Sequence, residues 1–293
     1  MPNAFSRSWE ITKLSFNVMK QDKELLLFPV LSGFFSLLFL AVILFPSIIS
    51  GLLKGQIPEF GAVNIIPFFM AYFVLSFITV FFNVCVVYTT KARFEGKNAT
   101  FGESIKFAAS RIHLIFMWSI VSASVGMILR LIDNMVQKSG TAGKTIFRII
   151  NSILGMIWSI ITIFVVPAMV YNNLGPIDAI KKSVEVLKKT WGESLVRYYG
   201  LTFAAFLFLI LGFSILVLGI IGTTALVVAV DSSLGIVLIV IIMVIVFLYT
   251  LAVIAIFNVA NSIFNTALYV YASTGKIPAG YSNEIMKGAF VRK

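Results

Sequence analysis

Six stretches of this chain are long and apolar enough to dictate their own surroundings. They lie near Leu26–Leu53, Val63–Thr90, Leu114–Ile132, Phe147–Tyr171, Tyr199–Gly222 and Leu234–Phe257. Roughly 20 apolar residues in a helix cross the about 30 Å of a bilayer's hydrocarbon, and each run reaches that length. Of the 293 residues, 59% are hydrophobic and 12% charged, whereas about a quarter of a soluble domain is charged. A soluble fold of this size has no interior large enough for so much apolar surface. In a bilayer, lipid tails replace water on the outside of the protein. The expected fold is therefore all-α: a polytopic helical bundle, six transmembrane helices in one integral membrane domain over 1–293. The last two runs are overlong. Thr223–Val230 extends the fifth, and the sixth stays apolar to Tyr271, which implies tilt, projection into the cytoplasm or a break.

The net charge of +11 follows the same topology. Eighteen of the 23 lysines and arginines fall in the N-terminal segment, the second and fourth connections and the C-terminal segment; five fall on the other side. Basic residues stay on the cytoplasmic face, so both termini are expected there. Anionic headgroups account for the excess, and nucleic acid is not expected as a partner, because no basic-aromatic patch lies away from the membrane flanks. The single Cys85 excludes an internal disulfide and the single His113 a multi-histidine metal site. No cleavable leader is expected, since the first apolar run is too long for one.

Three short basic amphipathic stretches, centred on Ser15, Ser104 and Ser183, each run into a pair of spans. In the third, Ile177, Ile180, Val184, Leu187 and Trp191 form one stripe of a 3.6-residue helix. In the first, Phe5, Trp9, Thr12, Phe16 and Met19 do the same. In the second, Thr100 to Glu103 reads as a capping box. Gly96 and Gly175, like Ser104 and Ser183, stand 79 residues apart, and Gly275-Lys276 is similar to Gly96-Lys97. The chain thus reads as three repeats of interfacial helix plus helical hairpin, at 4–96, 97–175 and 176–275, with a cytoplasmic tail at 276–293. A glycine at each stop takes the left-handed conformation that ends a helix, and Pro176 blocks continuation beyond Gly175. The amphipathic stretches either lie in the headgroup plane or brace the hairpins as a cytoplasmic layer. Amphipathicity alone does not separate lipid from protein as the buried partner.

Chemistry is sparse. No H-E-x-x-H, G-K-[ST] or G-x-S-x-G pattern occurs, and all twelve acids lie in loops, amphipathic stretches or span ends. No catalytic residue, cofactor or metal is expected. His113 reads as a headgroup-level residue and Cys85 as a small apolar side chain. The strongest polar signal is a carboxamide ladder on the sixth span: Asn258, Asn261 and Asn265 at i, i+3 and i+7, with Asn83 at comparable depth in the second. An unpaired amide in hydrocarbon costs several kcal/mol, so these groups face protein or water. They serve either as hydrogen-bonding glue between helices, the commoner use, or as the lining of a cytoplasm-facing vestibule. Gly212, Gly219 and Gly222 in the fifth span, and Ser122, Ser124 and Gly126 in the third, are small residues that permit close helix approach, and Pro167 is the expected kink in the fourth span.

The opening, Ser8-Trp9-Glu10 through Lys13 and then Asp22-Lys23-Glu24-Leu25-Leu26-Leu27-Phe28-Pro29 with Ser32-Gly33, resembles a family of uncharacterised prokaryotic six-span membrane proteins. More distantly, the layout is similar to the membrane region attached to some glycerophosphodiester phosphodiesterases. The resemblance implies a six-helix protein of the prokaryotic cytoplasmic membrane and carries no catalytic residues. The soluble phosphodiesterase domain, with its acid and histidine cluster, has no counterpart in this sequence.

These readings converge on a non-enzymatic protein that engages membrane lipids, or another membrane protein, through a basic cytoplasmic layer. Lys13, Lys20, Lys106, Arg111, Lys181, Lys182, Lys188 and Lys189 are its candidate headgroup contacts. The alternative is a small-solute transporter or channel with a cavity lined by Asn83, Asn258, Asn261 and Asn265. An intramembrane enzyme acting on lipid stands third, for want of a nucleophile–base pair.

Overall fold

The computed structural model describes residues 4–54, 65–137, 141–229, 232–279 and 281. Helix α1 (Ala4–Gln21) leads through a 3-10 turn (Lys23–Leu26) into α2 (Leu27–Lys54). Then follow α3 (Ile65–Phe94), α4 (Phe101–Ser110), α5 (Ile112–Gln137), α6 (Thr141–Ile161), α7 (Val165–Asn172), α8 (Pro176–Ala229) and α9 (Ser232–Thr274). All regular structure among the described residues is helical. Six segments are long and apolar enough to cross a membrane: Lys23–Pro46, Ile66–Phe94, Ile112–Asp133, Phe147–Asn172, Ala204–Thr223 and Val237–Thr274. Their outward faces carry large apolar side chains, such as Phe34 at 58% and Leu218 at 69% exposure. So continuous an apolar surface requires hydrocarbon around it. The first connection between spans, most of the tail, and the side chains of Phe5, Trp9, Thr12 and Trp191 lie outside the described residues.

The helix ends follow local chemistry. Thr100 Oγ1 accepts from the Glu103 N–H at 3.3 Å, and Glu103 Oε2 accepts from the Thr100 N–H at 2.8 Å, completing the capping box. Gly96 (φ 74°) and Gly275 (φ 70°) adopt the left-handed conformation expected of them. The third stop differs: Asn173 (φ 53°) ends α7, and Gly175 does not have positive φ. Asparagine tolerates this region because its short side chain bonds locally.

The fourth span is broken where its proline requires. Pro167 has no N–H for the Ile163 carbonyl, and its ring crowds that carbonyl. The helix accordingly opens over Thr162–Phe164, between α6 and α7. The freed Phe164 N–H donates to Ser183 Oγ at 3.1 Å.

Helix α8 departs from the sequence reading, and α9 removes one of its alternatives. The third amphipathic stretch is not a separate surface helix: α8 runs unbroken from Pro176 to Ala229 and joins it to the fifth span. α9 likewise has no break. Its 43 residues extend about 64 Å at 1.5 Å per residue, roughly twice the hydrocarbon thickness. Its last turns, from Val259 to Val270, are mostly buried in protein.

Those turns form the core, with Leu25, Phe28, Ile115, Phe164, Ile263, Phe264, Leu268 and Tyr269 fully buried. It sits at one end of the bundle, where α1, α4, α7 and the start of α8 gather around α3 and α9. The amphipathic stretches send Val18, Met19, Ala108, Ala179, Val186 and Leu187 into this core, while Ile177 is 59% exposed. Each central serine is fully buried and bonded to another element. Ser15 Oγ meets Tyr281 OH at 3.2 Å, Ser104 Oγ meets Thr89 Oγ1 at 2.7 Å, and Ser183 serves the α6–α7 break. Away from the core, α8 packs on α9 through Gly212. A Cβ there would stand 2.7 Å from the Tyr249 ring, whose hydroxyl donates to the Phe208 carbonyl at 3.0 Å. The crossing has room for glycine alone.

Candidate functional site

Three helices leave a cavity of about 490 Å³ between them, within the roughly 300–1,000 Å³ of small-molecule sites. α2 lines it with Pro29, Ser32, Gly33 and Ser36, α3 with Thr79, Phe82, Asn83 and Val86, and α9 with Phe247, Leu251, Ile254, Ala255 and Asn258. On each helix these positions recur at three- and four-residue intervals, so each offers one face. Val30, Phe34 and Leu37 complete the lining. They are 57%, 58% and 45% exposed, and Phe247 and Ile254 are 51% and 52% exposed. The walls thus run continuously onto the outer apolar surface, and the cavity opens sideways.

Two of the four candidate asparagines meet here. Asn83 Oδ1 accepts from Ser262 Oγ at 2.8 Å. The exposed Asn258 carboxamide has no hydrogen bond among the described residues. Asn261 and Asn265 are not in the lining, and Asn265 is buried in the core. The ladder therefore divides where α9 passes from cavity wall to core. Sequence reasoning missed Ser32, Gly33, Ser36 and Thr79. The available signal was the stripe of small residues at i, i+3, i+4 and i+7 in an otherwise bulky α2.

The second candidate surface is the basic end of the bundle. Lys13 and Lys20 lie on α1, Lys106 on α4, and Lys181, Lys182, Lys188 and Lys189 on the first turns of α8. Several are occupied by acids. Lys181 pairs with Asp178 at 3.2 Å, and Glu185 takes both Lys182 at 2.8 Å and Lys189 at 3.0 Å. The Lys182 hydrogen bond foremost, then that of Lys189, holds the Glu185 carboxyl below its ordinary range. Arg111, after α4, donates to Asn173 Oδ1 and lies 5.5 Å over the Phe107 ring, so it ties α7's end to α4. Lys20, Lys106 and Lys188 are exposed and make no ion pair among the described residues.

His113 is exposed at the start of α5, and Cys85 is fully buried. Among the described residues, no group of three or more His, Cys, Asp or Glu stands together to hold a metal.

A family model described as "Family of unknown function (DUF6159)" matches residues 62–279, about three quarters of the 293 residues. The chain belongs to this family. The DUF6159 match takes in the α3 and α9 walls of the cavity. It begins after α2 and after the opening segment that carries the resemblance above. Its description assigns no activity and gives no link to phosphodiesterases. No curated protein and no solved structure matches the chain. Six long apolar helices make this DUF6159 member a multi-pass membrane protein.

Proposed function

We propose that this chain is a non-enzymatic protein of the prokaryotic cytoplasmic membrane that engages anionic lipid through its basic end, with both termini in the cytoplasm. The observation that carries this reading is the trio Lys20, Lys106 and Lys188. Each comes from a different helix, each is exposed, and none has a neutralising acid among the described residues. A polybasic surface gains about 1 kcal/mol per lysine beside anionic headgroups. Among the described residues of these helices, Val18, Met19, Ala108, Ala179, Val186 and Leu187 face the core, which leaves the lysines outward.

The test is retention of phosphatidylglycerol on the purified full chain, counted by native mass spectrometry. Changing Lys20, Lys106 and Lys188 to Gln should weaken retention about fivefold per lysine. Glu185→Gln should strengthen it by releasing Lys182 and Lys189. Equal retention by the triple variant and the native chain would overturn the reading.

One observation favours a second class, a small-solute transporter: Asn83 and Asn258 line the same cavity. On that reading, replacing both by Leu abolishes solute uptake into proteoliposomes. An uptake screen in which native protein and the double variant never differ removes it.

A further inference from the structure

The cavity between α2, α3 and α9 gathers polar groups that the fold leaves unused. In the spans a hydroxyl commonly donates to the carbonyl one turn back, which satisfies it within its own helix. Thr79 does so to Leu75, Thr90 to Val86, Ser119 to Ile115, Ser159 to Gly155 and Ser214 to Ile210. Ser32 and Ser36 do not. Neither hydroxyl has a partner among the described residues, and the Asn258 carboxamide in the same cavity has none. Asn83 spends its oxygen on Ser262 and has no described partner for its amide N–H groups. In hydrocarbon these groups carry a desolvation cost until something bonds to them.

The shape points the same way. Small residues on a span usually let two helices close on each other. Here the stripe Pro29, Ser32, Gly33 and Ser36 fronts a void, and a Cβ built on Gly33 meets nothing within 4 Å. Among the described residues no charged side chain is in the lining, so a phosphate would find no counter-charge there. The mouth is flanked by exposed Val30, Phe34, Phe247 and Ile254, facing where acyl chains lie. Hydroxyls and carboxamides both give and accept hydrogen bonds, which complements an ester carbonyl or an alcohol.

We propose that this cavity is a laterally entered binding site for an uncharged amphiphile, an acyl chain ending in ester and hydroxyl groups, with diacylglycerol as its simplest membrane form. The chain lies along Phe82, Val86, Leu251 and Ile254, and the neutral polar end bonds to Ser32, Ser36 and Asn258. The site is separate from the lysine-bearing surface and does not depend on it.

The experiment uses the full chain in phosphatidylcholine nanodiscs free of anionic lipid, so its outcome is independent of the lysine test. A diacylglycerol with a photoreactive acyl chain is added in trace, and adducts are mapped by peptide mass spectrometry. Adducts are expected on Pro29–Leu37 and Phe247–Asn258. Gly33→Leu, which places a side chain in the open space, should abolish them. Asn258→Leu should cut diacylglycerol labelling several-fold yet leave labelling by a photoreactive alkane of equal length unchanged. Adducts scattered over all outer helix faces, undiminished labelling in Gly33→Leu, or an equal fall for both probes in Asn258→Leu would each overturn the proposal. Should Gly33→Leu fail to fold, the two-probe comparison in Asn258→Leu decides it alone.

Discussion

Truncating Phe28 to alanine should destabilise the protein by about 3–5 kcal/mol, the range for deleting a fully buried phenylalanine. Phe28 has no solvent exposure and stacks on Phe101 with ring centroids 5.2 Å apart and planes within 8°. Such aromatic pairs contribute about 0.5–1.5 kcal/mol beyond area burial. The contact joins the first turn of α2 to the first residue of α4. Its loss therefore leaves a cavity and also separates two elements. For a protein of this size, the melting temperature in detergent should fall by roughly 10 °C. Phe28→Leu should lose well under half as much, because most of the volume is kept. An unchanged melting temperature in Phe28→Ala would show that this end of the bundle is not where stability resides.

The second large effect is at Asp22. Its carboxylate is 6% exposed and accepts from Arg93 Nη2 at 3.1 Å, while the Arg93 side chain is 27% exposed. Removing one partner of a buried pair costs about 3–5 kcal/mol, because the other charge stays behind uncompensated. Arg93 keeps a bond to Asn98 Oδ1 at 2.9 Å and some contact with solvent, which brings the expectation for Asp22→Ala to about 2–3 kcal/mol. The double variant Asp22→Ala with Arg93→Gln should recover part of this, since no lone charge remains. If the double variant loses the full sum of the two single changes, the pair is not coupled.

Much of this architecture is written in local chemistry. The capping box at Thr100, the glycine stops at 96 and 275 and the opening before Pro167 each depend on residues a few positions apart, so spacing alone locates them. The existence of six spans is legible for the same reason, since length and apolarity suffice, although the sixth runs to Thr274 and not to Phe257. What escaped is what depends on distant neighbours. The run from Val259 to Val270 is apolar because protein surrounds it, and apolar residues read alike whether lipid or protein covers them. Its asparagines looked like one ladder, but Asn258 and Asn265 fall in different surroundings once α9 enters the core. Gly175 has the composition of a helix stop, yet Asn173 ended the helix two residues earlier. Nothing local in α8 separates its amphipathic start from its span, because no residue there interrupts the backbone ladder. The Ser32–Ser36 stripe was visible, but its meaning needs the position of α9, more than two hundred residues later.

The contact between Ser15 and Tyr281, with Phe16 against Phe257, has a consequence for biogenesis. α1 is made before all six spans, yet the helices that receive it, α8 and α9, follow the first four. Domains on a growing chain fold as their partners emerge. This helix instead waits through the insertion of the first four spans, because the surface that seats it does not exist until α8 and α9 are made.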